Sequence, residues 1–456
     1  MAKVLKLQRP IPDFSADVFE NESEVRSYCR RIDATFVSAS GSFMTDDTGR
    51  RFIDFLAGAS ALNYGHNDAD MAEALICYIG SGGIAHGLDL HTGAKARFID
   101  AFNRIVLAPR KLKYKLQFPG PTGTNAVEAA LKLARKVTGR SEIISFTNGF
   151  HGMTLGSLAA TGNKYHRLGT SVQLPGVTRA FYDGYLGAEI DTAAILERAL
   201  DDPSSGFDPP AAILLETVQG EGGLNVASAA WMQRIAAIAK RHGALLIVDD
   251  IQAGCGRAGT FFSFESLGVV PDIVVLSKSL SGFGLPLSLV LIQPEFDQWK
   301  PGEHNGTFRG NNLAFVTAAV ALEKFWFDSQ LQTSIARRSQ IILSSLDKMK
   351  WRVPGARLKG RGMMLGIDTA RPDFAEAVCQ RCYKNGLIIE TAGPRDEVIK
   401  LLAPLTTPDN VLREGLAILD ASIGVLFVFA DDDDVHAREL RRDERMIGDA
   451  GPYIGE

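Results

Sequence analysis

Cysteine is scarce in this chain, with five in 456 residues, and an odd, sparse set makes a disulfide framework improbable and a reducing compartment the natural setting. Two of the five form a C-x-x-C, Cys379 and Cys382, inside the helical pattern DFAEAVCQRCYKNG. No second ligand pair accompanies them, so they read as ordinary helix positions rather than zinc or redox ligands, and no metal site is expected. No apolar run approaches the roughly 18 residues of a membrane span, and MAKVLKLQRPIPDF lacks the apolar centre of a secretion signal. A cytoplasmic protein without a membrane association is therefore expected. Charge of one sign is missing too. The formal net charge is -4, with acids and bases interspersed, which leaves no electrostatic footprint for nucleic acid. The expected ligands are small molecules.

What is present is an ordinary globular composition, 46% hydrophobic and 22% charged, long enough for two or three domains. Between Lys115 and Ile292 short β-rich runs (EIISF, AAILLE, ALLIVDD, DIVVLS, LSLVLI) alternate with longer helical patterns, the rhythm of an α/β fold with a mainly parallel sheet. The flanks, GSFMTDDTGRRFIDFLAG before it and MMLGIDT and VIKLLAPL after it, read as α+β pieces of a second, smaller domain. We place the boundaries at 1–65 for the front piece of the small domain, 66–315 for the large domain and 316–430 for the back piece, with a charged tail at 431–456. The stretch SGGIAHGLDLH is expected to be a loop near the site, and the acidic run beyond Val428 a solvated tail.

Ligands of such sheets bind beyond the carboxyl ends of the strands. Two residues stand there, Asp249 in ALLIVDDIQAG and Lys278 in PDIVVLSKSLSGFG. A lysine amine can form a Schiff base with an aldehyde cofactor, and a carboxylate can keep a pyridinium nitrogen protonated so that the ring accepts electrons. The pair suggests pyridoxal phosphate. A P-loop lysine is excluded because VVLSKS has no glycine before Lys278. In GPTGTNAVEAALKLARK, Asn125 with Glu128 three residues on reads as a capped helix start, where free amides of Gly123 and Thr124 could hold a phosphate. In NGFHGMT, Phe150 could stack on a cofactor ring or close the core, and His151 could serve the ligand or a structural hydrogen bond. Asp249 and Asp250 point to opposite faces of an extended segment, so only Asp249 is expected to meet the ring.

The segments VRSYCR, FLAGASALNYGH, HGLDLHT, FPGPTGTNAVEAALKLARKVTGR and KPGEHNGTFRGNN make the chain resemble the class III, fold-type I aminotransferases that use pyridoxal phosphate, and among them the diaminobutyrate–2-oxoglutarate subgroup, from about Phe19 to Val425. The resemblance implies a large domain with a seven-stranded sheet and a small domain built from both termini. It makes Lys278 the Schiff-base lysine, Asp249 the pyridinium partner, Gln252 a neighbour of the ring hydroxyl, Phe150 the stacking ring, and Gly123 and Thr124 the phosphate ligands. Thr307 matches the threonine that reaches the phosphate from the neighbouring subunit, which implies a homodimer with shared active sites and leaves higher oligomers open. Glu221 in ETVQGEGG matches a mobile glutamate that pairs with an arginine in many members; Lys400 stands at that arginine's position here, and lacks its planar fork for carboxylates. Asp250 replaces a glutamate common in the wider family. The implied reaction is ping-pong transfer of an amino group from L-glutamate to the terminal aldehyde of L-aspartate 4-semialdehyde, giving 2-oxoglutarate and L-2,4-diaminobutyrate. Another ω-aminotransferase acting on ornithine, 4-aminobutyrate or a related amine is the alternative. Mutase or racemase chemistry on the same lysine, and a non-catalytic binding protein, rank below it.

Overall fold

The computed structural model describes residue 19, residues 21–169 and residues 171–426; the charged tail read from the sequence lies outside them. At the front, β1 (Phe36–Ser40), β2 (Phe43–Asp46) and β3 (Arg51–Asp54) form an antiparallel meander. The central body carries β4 (Lys115–Gln117), β5 (Ile143–Phe146), β6 (Val177–Ala180), β7 (Ala212–Leu215), the hairpin β8 (Val218–Gln219) and β9 (Asn225–Val226), then β10 (Leu245–Asp249), β11 (Ile273–Leu276) and β12 (Leu289–Ile292). Seven of these make one sheet in the order β4-β12-β11-β10-β7-β5-β6. β12 alone runs against the others. The seven-stranded, mainly parallel sheet is the one expected.

Every residue of β7, β10, β11 and β12 is buried, as strands covered on both faces require. The alternation of side chains decides which layer each joins. Leu245 and Ile247 of β10 pack with Ala126, Ala130 and Leu133 of α1 (Gly123–Thr138), while Leu246 and Val248 join the layer of Met232 and Ile235 from α2 (Ala229–Arg241). Gly139, at φ 69°, ends α1 in the left-handed conformation that glycine adopts without strain.

Behind the sheet, α3 (Asn312–Phe325) packs on the helices Gly93–Ala101 and Ala69–Gly80, and α4 (Gln330–Lys350) follows. A boundary at 315/316 falls inside α3. Ala314, Phe315 and Ala318 on its buried face join a core shared with residues of both the central and C-terminal parts, and the break in regular structure comes at 326–329. The C-terminal part adds β13 (Arg357–Arg361), β14 (Met364–Asp368), α5 (Pro372–Lys384), β15 (Leu387–Ile388), β16 (Glu390–Ala392) and β17 (Val398–Leu401). An antiparallel sheet forms in the order β13-β14-β17-β16, whereas β15 crosses to pair in parallel with β3. Residues from both ends of the chain thus share one sheet. Cys379 and Cys382 are buried on α5, and burial pushes both thiols up, away from the reactive thiolate.

Candidate active site

Asp249 is the last residue of β10 and lies opposite Val275 of β11, while Asp250 N donates to Val275 O at 3.0 Å. The parallel pairing brings the two strand ends level, so Lys278, three residues past Val275, emerges beside Asp249's end of the sheet. β11 stops at Leu276, and Lys278 takes φ 47°, a left-handed conformation uncommon for a residue with a side chain. Such local strain persists where the surroundings hold it: on either side Ser277 Oγ donates to Leu287 O (2.8 Å) and Ser279 Oγ to Ser60 O (2.6 Å). Among the described residues no hydrogen bond or ion pair holds the Lys278 amine. Burial pulls its pKa below that of ordinary lysine, with Glu221 opposing and Lys400 adding to the effect.

Asp249 is buried, 4% exposed, and fixed at both oxygens. Oδ2 lies 2.8 Å from His151 Nδ1, and Oδ1 accepts from Ile251 N at 3.2 Å. His151 is itself buried; burial works against its charged form, but the bond and charge of Asp249 prevail and hold its pKa above the ordinary value. It therefore meets the site through Asp249. Asp250 faces the other way, its Oδ2 accepting from Ser263 N at 3.0 Å. Burial pushes that carboxyl up to about 7.

The helix start at α1 differs from the expected cap. Thr122, one turn earlier, is the capping residue, and Asn125 Oδ1 accepts from Thr122 N (3.2 Å) and Oγ1 (2.8 Å). Glu128 reaches outward instead, accepting from Gly156 N (2.9 Å) and Ser157 N (3.0 Å) at the start of the next helix. The small residues before Asn125 allow the helix to begin earlier than its acidic residue suggested. The amides of Gly123 and Thr124 accordingly open the helix and have no acceptor among the described residues. Thr124 Oγ1 is flanked by the hydroxyls of Ser157 (2.6 Å) and Thr154 (2.7 Å). Gly123 backs onto Ile251, two residues past Asp249, which ties this turn to the carboxylate.

Phe150 lines a narrow cleft with Asn148, Gly149, His166, Glu221 and Gly222. Its backbone N donates to Glu216 Oε2 (2.9 Å), and the other oxygen of Glu216 accepts from Gly220 N (3.2 Å). One buried carboxylate thus ties Phe150 to the loop bearing Glu221. Burial raises Glu216 to about 7. The strand does not continue to Gln252, whose Nε2 donates to Glu221 Oε1 (3.1 Å) and Ala59 O (3.2 Å). Its Oε1 is buried with no partner among the described residues, and a Cβ at Gly220 would sit 1.5 Å from it.

Glu221 Oε1 also meets Lys400 Nζ at 3.0 Å, and Lys400 meets Glu390 Oε1 at 2.9 Å. Lys400 is completely buried. Burial acts against the Glu221 charge, but Lys400, then Lys278, outweigh it and hold the carboxyl down to about 2. Burial likewise opposes the Lys400 charge, yet the two carboxylates raise its pKa well above that of ordinary lysine. Glu390 goes the other way, burial raising it against the pull of Lys400. Thr307 sits on an exposed loop, its carbonyl 3.1 Å from His86 Nε2, and touches none of the other site residues of its own chain among those described.

Sequence reasoning passed over Glu216, Glu390 and the turn at 57–60. Glu216 ends AAILLE much as Asp249 ends ALLIVD, so a strand-end acid was visible there. Glu390 becomes legible only once β16 is paired with β17, which sets it opposite Lys400. The turn was hidden: Ala57, Gly58, Ala59 and Ser60 all take positive φ, between 48° and 74°. At about 1–2 kcal/mol per residue with a side chain, this strain is held by contacts such as Arg257 Nε to Ser60 Oγ (2.9 Å).

A family model for class III aminotransferases matches residues 27–423. The chain belongs to the class III aminotransferases. It is 57% identical to a diaminobutyrate–2-oxoglutarate transaminase of Vibrio cholerae, over 89% of this chain and 98% of that protein, and 54% identical to one of Vibrio parahaemolyticus, over 89% and 97%. Among solved structures it is similar to the ornithine aminotransferase of Toxoplasma gondii, in which pyridoxal phosphate partially occupies the active site: TM-score 0.76, 26% identity, 90% of this chain and 93% of that one. The residues fit that cofactor. An unpaired amine, a fixed carboxylate, an orphaned buried amide oxygen and two free amides at a helix start match its aldehyde, pyridine nitrogen, ring hydroxyl and phosphate in turn.

Proposed function

We propose that this class III aminotransferase moves the amino group of L-glutamate to the terminal carbon of L-aspartate 4-semialdehyde, yielding 2-oxoglutarate and L-2,4-diaminobutyrate. The observation that carries the substrate choice is the 57% identity to a diaminobutyrate–2-oxoglutarate transaminase across nearly the full length of both chains. The ornithine enzyme, at 26%, is the more distant relative.

Pyridoxal phosphate, when bound, supplies the aldehyde and the electron sink. Lys278 would hold its aldehyde carbon, Asp249 its ring nitrogen, Gln252 Oε1 its hydroxyl, Phe150 its ring face, and Gly123 and Thr124 its phosphate. A lowered pKa favours the neutral, basic form of a lysine amine, so Lys278 takes a proton from the substrate carbon and returns it. Asp249, held by His151, keeps the facing nitrogen charged. Phe150 and the Glu221 loop are fixed together through Glu216, so the cleft keeps its shape while the two substrates alternate.

The same reading makes the working form a homodimer, Thr307 of one chain completing the phosphate site of a second copy. Exposed Ile76, Ile79, Ile84, Leu90 and Phe308 support an interface on that side. A cytoplasmic location belongs to the reading as well; among the described residues no helix is long and apolar enough to cross a membrane. The experiment is a panel of amine donors and aldehyde acceptors with product regiochemistry. Glutamate and aspartate semialdehyde should be the preferred pair, and preference for ornithine or 4-aminobutyrate would overturn the substrate choice.

A further inference from the structure

From Glu221 at the wall of the cleft, two further ionisable side chains are linked inward. Glu221 is outermost, its side chain 35% exposed; Lys400 is next, at 0%; Glu390 lies behind, at 9%. The linkage follows from strand pairing. Lys400 of β17 lies opposite Glu390 of β16, on the same face, and the Glu221 loop is tied to that sheet by Gly393 N donating to Glu221 O at 3.0 Å. Arg31 donates to Thr391 Oγ1 (3.0 Å) and lays the short helix Tyr28–Arg31 over the same strand. Tyr28 is about half exposed, and desolvation of its phenol together with the charges of Glu390 and Glu221 raises its pKa above the ordinary value. Two carboxylates on one ammonium leave the group with a net charge of −1.

A fully buried lysine that loses its only counter-ion becomes an uncompensated charge, which is strongly unfavourable. Lys400 has two counter-ions, Glu221 and Glu390, so its buried charge is compensated with one carboxylate to spare. The residual negative charge also sets a preference. A carboxylate entering the cleft adds to it, and an ammonium group offsets it.

We propose that Glu390 is the positioning residue that sets the charge balance of this site: a second, rear counter-ion for Lys400 that leaves the group negative and biases the cleft against carboxylates and toward the spare ammonium of a diamino acid. The proposal rests on the diaminobutyrate reading for its second half only.

The test uses the cofactor-loaded enzyme and glutarate, a dicarboxylate with no amine to transfer, titrated through the absorbance of the bound cofactor. In Glu390→Gln the affinity for glutarate should rise by on the order of tenfold, as expected for removing one charge at this range in a partly polar interior. The KM for 2,4-diaminobutyrate should rise in the same variant, while Glu390→Asp, which keeps the charge, stays near wild type in both. Unchanged glutarate affinity, or a fall, would overturn the proposal. A measurement on the unaltered protein does not depend on the variant folding: in a crystal structure with glutarate bound, Glu390 should remain on Lys400. Finding Glu390 displaced from Lys400 would refute the assignment. Glutarate binding requires no turnover, so a failure to aminate aspartate semialdehyde would sink the substrate reading and leave the glutarate result to judge Glu390.

Discussion

Lys278 and Lys400 both act electrostatically on one glutamate, Glu221, and they are prepared for opposite purposes. Lys278 follows a parallel strand of the central sheet, strained at φ 47°, its amine unpaired among the described residues and its pKa lowered by burial. Lys400 sits mid-strand in the C-terminal sheet, relaxed, completely buried, and raised by two carboxylates within 3.0 Å. Burial acts on both in the same direction; what separates them is the number of counter-ions. A lysine left without a partner in a half-buried place is reactive, and one given two partners is a fixed charge.

The difference can be broken most sharply at Lys278. Lys278→Ala should lower turnover by roughly 10⁴-fold or more, the upper range for a positioned base, while still retaining cofactor at the α1 turn, as dialysis and absorbance would report. Asp249→Asn should lower it by roughly 10²–10³-fold, in line with losing one aligned electrostatic group; steady-state kinetics on the purified protein decides this. Stability should show the reverse order. Lys400→Met leaves the buried Glu390 carboxylate unpaired and takes the ion partner from Glu221, and should cost about 3–5 kcal/mol in denaturant unfolding, whereas Lys278→Ala should cost little because its amine has no hydrogen bond or ion pair among the described residues.

Labelling sharpens the contrast further. In cofactor-free protein near neutral pH, a lysine-acylating reagent should modify Lys278 ahead of surface lysines, since a lowered pKa enlarges the neutral fraction, and should leave Lys400 untouched; peptide mass spectrometry reads both. The smallest effect belongs to Asp250. Its pKa is raised from 3.8 to about 7, so the folded state holds a proton that the unfolded chain has released, and stability falls as pH rises through that window. Asp250→Asn should flatten the corresponding part of a melting-temperature profile.

The reactive half of the site was legible in the sequence because its chemistry coincides with local pattern. A lysine and an aspartate ending apolar runs, and small residues before a helix, each announce a strand end or helix start, and parallel pairing brings them together. The cap shows the limit: Asn125 was seen, but Thr122 does the capping and Glu128 serves the neighbouring helix. The substrate-facing half depends on non-local register. Nothing near Glu390 in GLIIETAG marks it as a counter-ion until β16 and β17 are aligned, and the left-handed turn at 57–60 comes from tertiary contacts that override the preferences of three residues with side chains. Lys400 and Glu221 were found by family resemblance, while their contact and its third member came from the structure.

The most direct test of the assigned chemistry follows the nitrogen itself. Loaded enzyme is given glutamate labelled with ¹⁵N and aspartate 4-semialdehyde, and the product is examined by NMR. The account requires the label at the terminal carbon of 2,4-diaminobutyrate, with none when Lys278 is alanine. No label in that position, under conditions where another aldehyde or ketone receives it, would contradict it.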